Sequence, residues 1–170
     1  EEIPPGFSHC MILSEGKVRL RKRALPTSVP GMGARIRRWL RWEFYLEAAA
    51  LLQAAACPIV LAGHGAARAG AGPALRRFAE MLGIPVATTF HGKGVFRDDH
   101  PLALGAVGFM RHDYVNFGFD RADLIIAVGY ELQEFDPARI NPGGDTKIIH
   151  LHRFPAEVDA HLAHPCPRCA

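Results

Sequence analysis

The sequence is poor in the features that mark secreted and membrane-spanning proteins. It contains four cysteines in 170 residues, namely Cys10, Cys57, Cys166 and Cys169. They are too few and too scattered for a disulfide framework. No apolar run approaches the roughly 18 residues that span a bilayer, and the chain starts with two glutamates where a secretory signal carries positive charge. We therefore expect a soluble, cytoplasmic protein with reduced thiols and no membrane contact.

Several chemical motifs are also missing. The Gly-x4-Gly-Lys-Ser/Thr spacing of a Walker loop does not occur. His91 and the pair His112-Asp113 are candidate acid–base groups, but no Ser or Cys nucleophile elbow accompanies them. We interpret most of the nine histidines as surface or loop residues and predict no catalytic residue.

A metal site is the alternative for the tail, residues 164–170. Cys166 and Cys169 are spaced as zinc ligands beside His161 and His164, and thiolates and imidazoles suit Zn²⁺. A tetrahedral site in this segment has no hydrophobic surround in the sequence. We therefore predict no metal site.

Positive charge is concentrated in residues 1–42, which carry nine Lys/Arg against three Asp/Glu, whereas residues 43–170 carry eleven against fourteen. In the run Ala34–Trp42, arginines alternate with Ile36, Trp39 and Leu40. A cationic amphipathic segment of this kind is suited to binding acidic lipid or nucleic acid. Such short runs are common, and no RNA-binding signature follows. We interpret residues 1–42 as a basic linker or solvated extension and expect no nucleic-acid role.

The most informative segment is Pro58–Gly65, which reads Pro-Ile-Val-Leu-Ala-Gly-His-Gly. Its unbroken apolar run is typical of a parallel strand covered on both faces, and a glycine-rich turn follows. Gly63 and Gly65 leave room for a ligand's phosphates to approach backbone N–H groups at a helix start. A tight turn without a ligand is the other interpretation.

Strands and helices alternate through residues 43–163. The predicted strands are Ile59–Ala62, Ile84–Phe90, Asp123–Gly129 and Lys147–Leu151, and the predicted helices are Glu43–Ala56, Gly72–Leu82 capped by Gly83, Arg111–Arg121 and Pro155–His164. This alternation predicts an α/β protein with a parallel sheet and right-handed crossovers.

The end of the second strand argues against an ordinary dehydrogenase. It reads Thr88-Thr89-Phe90, where an NAD-binding unit places an acidic residue for the ribose hydroxyls. The loop His91–Gly94 follows at the edge where open α/β sheets bind ligands. Lys93 in this loop is either a phosphate partner or a solvated lysine.

Seven segments together carry a family resemblance. They are Pro58–Gly65, Leu82–Thr89, Gly92–Val95, Asp99–Leu102, Gly105–Gly108, Ala122–Gly129 and Lys147–His150. In this order they resemble the central domain of thiamine diphosphate-dependent enzymes of the acetolactate synthase type. The resemblance covers residues 43–163 and implies a three-layer, Rossmann-like, doubly wound parallel sheet of about six strands. It also implies a homo-oligomeric parent enzyme with pyrimidine-binding and diphosphate-binding domains on either side.

The departures from that family concern its cofactors. The activating glutamate of the pyrimidine domain has no counterpart, and the string nearest to the Gly-Asp-Gly motif that holds Mg²⁺ and diphosphate is Gly143–Thr146. The resemblance therefore implies thiamine diphosphate and Mg²⁺ in the parent enzyme, and we expect this chain alone to bind neither.

Some members of the family carry FAD on this domain. The positions that the resemblance implies for cofactor binding are Gly63, Gly65, Thr89, Phe90, His91 and Gly92. However, the Gly-Ala-Arg-Phe-Asp-Asp-Arg segment of those members is replaced by Gly129–Phe135, Gly-Tyr-Glu-Leu-Gln-Glu-Phe. The loss of its arginine and aspartates makes the chain more similar to the catabolic, FAD-independent type, and FAD stays an alternative.

Three functions remain. The chain is the central domain of an acetolactate synthase-like carboligase, a stand-alone FAD- or nucleotide-binding module, or an enzyme with the related fold of NAD-dependent deacylases. The last requires a catalytic histidine environment and a zinc module that the sequence does not supply. We favour the first, because it accounts for all seven segments.

Overall fold

A computed structural model of the chain describes residues 45–108 and 114–152. Within them lies a parallel sheet of five strands in the order β3-β2-β1-β4-β5. The strands are β1 Pro58–Ala62, β2 Val86–Thr89, β3 Ala103–Val107, β4 Leu124–Val128 and β5 Lys147–Leu151. Every neighbouring pair is parallel. The prediction of a parallel α/β sheet of about six strands is therefore confirmed.

The helices lie between the strands. Helix α1 covers residues 45–54, and it is followed by α2 His64–Arg68, α3 Gly72–Leu82, α4 Asn116–Asp120 and α5 Pro137–Ile140. The prediction for α3 is confirmed, with Pro73 in its first turn and Gly83 as its left-handed cap at a φ of 66°. In the described part of the chain, no helix has the length and apolarity needed to cross a bilayer.

The prediction of a helix over Arg111–Arg121 is wrong in extent over residues 114–121, and residues 111–113 lie outside the described part of the chain. Tyr114 and Val115 form a turn, and α4 covers only Asn116–Asp120. The segment consists mostly of weak helix formers, including Gly118 in its middle, so local propensity does not extend the helix. The basic extension 1–42, the predicted helix Pro155–His164, the tail 164–170 and His112-Asp113 lie outside the described residues.

The core has two halves, one on each face of the sheet. Alternate strand residues, such as Val60 and Ile126, face a cluster that includes Leu75 and Ala79 of α3 and packs against residues of α1. The intervening strand residues face a second cluster that includes Phe119 of α4 and Ile140 of α5. Helices thus cover both faces, which confirms the three-layer, doubly wound arrangement and explains why β1 and β4 are apolar throughout.

Asp123, which precedes β4, ties α1 to the amino-terminal edge of the sheet. Its carboxylate accepts hydrogen bonds from the backbone N–H groups of Ala56 at 2.6 Å and Cys57 at 2.9 Å. Desolvation raises the pKa of Asp123, but the backbone donors outweigh it and the pKa lies below its ordinary value. The carboxylate therefore fixes the path of the chain from α1 into β1.

We expect Asp123→Asn to lower the free energy of unfolding at neutral pH by about 1 kcal/mol, because the amide cannot accept from both donors. The depressed pKa of Asp123 means that its contribution is present above the unfolded-state pKa and is lost as the pH falls through the folded-state value. Urea unfolding of both proteins across the acid range measures this. Asp120→Asn, at an exposed carboxylate, is the control, and a difference that stays constant into strong acid contradicts the assignment.

Candidate functional site

The strand order changes direction between β1 and β4. From β1 the chain moves outward through β2 and β3, and then places β4 on the other side of β1. Open parallel sheets bind ligands outside the carboxyl ends of their strands at such a point. Gly63–Gly65 follow β1 here, and Gly129 follows β4. We call this place the switch-point crevice, and it is the candidate site.

Four of the six predicted cofactor residues lie inside the switch-point crevice. Gly63 and Gly65 follow β1, Thr89 ends β2 and is buried, and Gly92 is buried next to Gly63. The other two lie at its rim, where the Phe90 side chain is 51% exposed and the His91 ring approaches that of Phe90 with a centroid distance of 5.9 Å. The structure thus gathers these residues at one edge of the sheet, and their binding role stays a prediction.

The crevice is crossed by residues 130–136, which follow β4 and which we call the crossing loop. Its central residue is Glu134, whose side chain is buried. One carboxylate oxygen accepts from the backbone N–H of His64 at 2.8 Å and from the Thr89 hydroxyl at 2.6 Å. The other accepts from the N–H of Glu131 at 2.8 Å. Glu134 therefore joins the carboxyl ends of β1, β2 and β4.

Two glycines admit the crossing loop. A Cβ at Gly63 would lie 2.5 Å from the carbonyl oxygen of Gly129 and 2.7 Å from a carboxylate oxygen of Glu134. Gly129 has a φ of 62°, and a Cβ there would collide with the backbone N of Ala66. The backbones after β1 and β4 can approach this closely only without side chains.

The crossing loop also contacts the outer strands. His150 of β5 is 3.0 Å through Nε2 from the Tyr130 carbonyl oxygen; because a carbonyl can only accept, Nε2 carries the proton. The Tyr130 hydroxyl donates to the carbonyl of Phe135 and closes the loop on itself. Beyond β3, a Cβ at Gly108 would lie 3.3 Å from the Glu134 carbonyl oxygen. The loop thus reaches the ends of all five strands in the described sheet.

The backbone donors of the glycine turn are satisfied by the chain itself. The N–H of Gly63 donates to Val128 at 2.9 Å and that of Gly65 to Gly129 at 2.8 Å, while the N–H of His64 donates to Glu134. The tight-turn interpretation accounts for both glycines in this conformation. Lys93, the candidate phosphate partner, lies 3.7 Å from the Asp98 carboxylate and is exposed.

Glu134 has no signal in the local pattern of the sequence. In the sequence Glu134 is one residue of Gly129–Phe135, the segment that lacks the family's arginine and aspartates and resembles the catabolic type. In the structure its carboxylate lies at the centre of the crevice. The one available hint is its position shortly after the apolar strand β4, at the edge where ligands bind. Over residues 45–108 and 114–152 there is no group of three or more His, Cys, Asp or Glu side chains arranged to hold a metal ion.

A second concavity lies at the opposite edge of the sheet. It has a volume of about 590 Å³. Its lining is mostly apolar and includes Leu52, Ile59, Ile84 and Leu104. Among its described lining residues only Gln53 and Cys57 carry polar side chains, so this lining offers few of the polar groups that orient ligands in binding sites. It also faces the amino ends of the strands, away from the edge where parallel sheets bind ligands.

His150 gives the site a pH dependence. Burial lowers its pKa from 6.5 to about 4, against the opposing effect of its hydrogen bond to Tyr130, and the neighbouring His152 lowers it further. Between pH 6.5 and pH 4, His150 is therefore protonated in the unfolded chain but neutral in the folded chain. Neutral His150 contributes its full stability above pH 6.5, and this contribution decreases as the pH falls toward 4.

We expect stability to fall by about 3 kcal/mol across that interval through His150 alone. His150→Gln keeps an N–H donor for the Tyr130 carbonyl and removes the titration, so the decrease should become shallower. Denaturant unfolding at a series of pH values measures both proteins. Equal slopes for the two proteins would show that His150 is not buried as a neutral group.

The chain is similar in sequence to known proteins. The family described as thiamine pyrophosphate enzyme, central domain, matches residues 46–167. The probable acetolactate synthase large subunit of Methanocaldococcus jannaschii is 33% identical over 156 residues, which is 91% of this chain and 26% of that protein. Acetolactate synthase 2, chloroplastic, of Zea mays is 36% identical over 134 residues, 78% of this chain and 21% of that protein.

A third relative is covered to a similarly small share of its length. The probable acetolactate synthase large subunit of Methanococcus aeolicus is 37% identical over 117 residues, 68% of this chain and 20% of that protein. The chain thus spans between a fifth and about a quarter of the curated relatives that it matches. On the strength of the family match and of the parallel sheet beneath it, the chain belongs to the thiamine pyrophosphate enzyme central-domain family.

Proposed function

We propose that the chain serves as the central domain of an acetolactate synthase-like carboligase, where it positions the catalytic domains and has no turnover alone. The observation that carries the proposal is the family match over residues 46–167, which contains every strand of the sheet. The matched part makes up 26% and 21% of two similar acetolactate synthases, which are therefore about four to five times as long as that part. The remainder of such an enzyme supplies the thiamine chemistry.

Within residues 45–108 and 114–152, the residues present do not fit a thiamine diphosphate and Mg²⁺ site. The nearest string to the Gly-Asp-Gly motif is Gly143–Thr146, where a Cβ at Gly143 would lie 2.5 Å from an Asp145 carboxylate oxygen. Asn141 donates to the Thr146 carbonyl and accepts from the Thr146 N–H, each at 3.2 Å. The Asn141 amide thus closes the turn on itself. The Asp145 carboxylate lies next to Gly143 in the same turn.

The partners follow from the same proposal. A pyrimidine-binding domain would flank residues 43–163 on one side and a diphosphate-binding domain on the other, in a homo-oligomer. The basic segment 1–42 and the tail 164–170 would lie outside the domain. A cytoplasmic location is part of the proposal, although several similar proteins are named chloroplastic.

We propose that the parent enzyme is of the FAD-independent type. The crossing loop and the carboxylate of Glu134 fill the switch-point crevice, and His64 and Thr89 already donate to that carboxylate. A stand-alone flavin- or nucleotide-binding module would need these donors for its ligand. No specific contact in the described residues favours that alternative.

We expect calorimetric titration with thiamine diphosphate and Mg²⁺ to give no heat with the 170-residue chain, because the metal and diphosphate ligands are absent. The same titration should give a saturable heat when the chain is expressed together with the flanking domains of its parent enzyme. Tight binding by the chain alone would contradict the proposal that other domains bind the cofactor. Absence of binding by the joined domains would contradict the proposed function.

We also expect the purified chain to lack the visible absorption band of flavin and to leave the fluorescence of added FAD unchanged. The reason is that the crevice is already occupied by the chain's own loop. Titration of FAD into the chain, with riboflavin as the control for non-specific ring stacking, measures this. Saturable quenching by FAD would favour the flavin-binding module.

A further inference from the structure

We infer that Glu134 is a positioning residue that seals the switch-point crevice by acting as an internal substitute for a bound anion. The inference deepens the proposed function, on which it rests, because it explains how a central domain can keep this edge of the sheet ordered without a dinucleotide. It concerns the contacts of one side chain and has its own test.

The first step is the donor set. Backbone N–H groups after a strand, joined by a hydroxyl, are the groups with which sheets of this kind hold phosphate. Here the N–H of His64 and the hydroxyl of Thr89 converge on one oxygen of Glu134, at 2.8 and 2.6 Å. Thr89 in turn accepts from the N–H of Gly92 at 2.9 Å. The turn after β2 is thereby held to the same carboxylate.

The second step is burial. Glu134 is only 8% exposed, and it forms no ion pair with a Lys or Arg among the described residues. A buried carboxylate is costly unless hydrogen bonds satisfy it. The two backbone N–H groups and the hydroxyl supply that compensation, so the carboxylate and its donors stabilise one another and losing either leaves the other unsatisfied.

The third step is space. Gly63 leaves so little room that a Cβ would lie 2.7 Å from the Glu134 carboxylate. After β3, Gly108 lies next to the crossing loop, where a Cβ would be 3.3 Å from the Glu134 carbonyl oxygen and 3.4 Å from the Phe135 ring. A dinucleotide diphosphate would therefore need both the volume and the donors that Glu134 holds, and its negative charge would meet that of the carboxylate. The loop must leave before such a ligand enters.

The test uses the full chain with Glu134→Ala, Glu134→Gln and the matched control Glu131→Gln. The control removes the same charge three residues away, from a half-buried carboxylate whose partners are Gln133 and His152, and it leaves the backbone donor of Glu131 in place. Amide hydrogen exchange by NMR is followed at His64, Glu131 and Gly92, and at Ile126 in β4 as the reference for global opening.

In Glu134→Ala we expect exchange at His64 and Glu131 to accelerate by about tenfold or more and exchange at Ile126 to stay unchanged. Gly92 should change less, because its N–H also donates to the Thr89 carbonyl at 3.0 Å. Glu134→Gln should fall between this variant and the wild type, because an amide offers one acceptor oxygen. Glu131→Gln should match the wild type. Unchanged exchange at His64 in a folded Glu134→Ala protein, or an equal acceleration at Ile126, overturns the inference.

A rescue experiment separates the anion role from simple packing. Added formate should restore protection at His64 and Glu131 in Glu134→Ala, because it brings a carboxylate to the same donors, whereas formamide and sodium chloride at equal concentration should not. Rescue by formamide to the same degree, or none by formate, contradicts the role assigned to the charge. Failure of the joined domains to bind thiamine diphosphate would remove the proposed function and leave these exchange rates untouched.

Discussion

The hydrogen bonding of one buried carboxylate organises the edge of the sheet at which the carboxyl ends of its strands lie. Glu134 accepts from groups that follow β1, that end β2 and that belong to its own loop after β4. Parallel strands are held to one another along their length by the backbone, but nothing in a parallel sheet fixes the segments that leave its carboxyl ends. In this chain a side chain performs that task.

The same constraint explains the glycines. Gly63 and Gly129 follow the neighbouring strands β1 and β4, and each lacks the side chain that would collide with the other's segment. A glycine pair after a first strand is commonly associated with the approach of a cofactor. Here the approaching group is the chain's own backbone and carboxylate. Membership of the thiamine pyrophosphate enzyme central-domain family is consistent with the proposal that other domains of the parent enzyme bind the cofactor.

The sequence predicted the elements whose signal is local. The apolar runs gave β1, β4 and β5, and Gly72-Pro73 with Gly83 gave both ends of α3. Gly63 was placed at the site by the glycine turn after β1, and Thr89 and Gly92 were placed there by the family resemblance. Phe90 lies at the rim, since it follows the last residue of β2 and is exposed, whereas Thr89 is buried.

The rest depends on contacts between distant residues. Glu134 lies 70 positions from His64 and 45 from Thr89, and no periodicity records such a pair. The helix predicted over Arg111–Arg121 is a different case, because its many weak helix formers, with Gly118 among them, are visible in the sequence itself.

The most direct test of the account is a through-hydrogen-bond scalar coupling experiment on the uniformly ¹⁵N,¹³C-labelled chain. The account predicts a correlation between the amide nitrogen of His64 and the side-chain carboxyl carbon of Glu134, and a second one from the amide of Glu131 to the same carbon. Correlations from these amides to other acceptors, with the carboxyl carbon of Glu134 showing none, would contradict it.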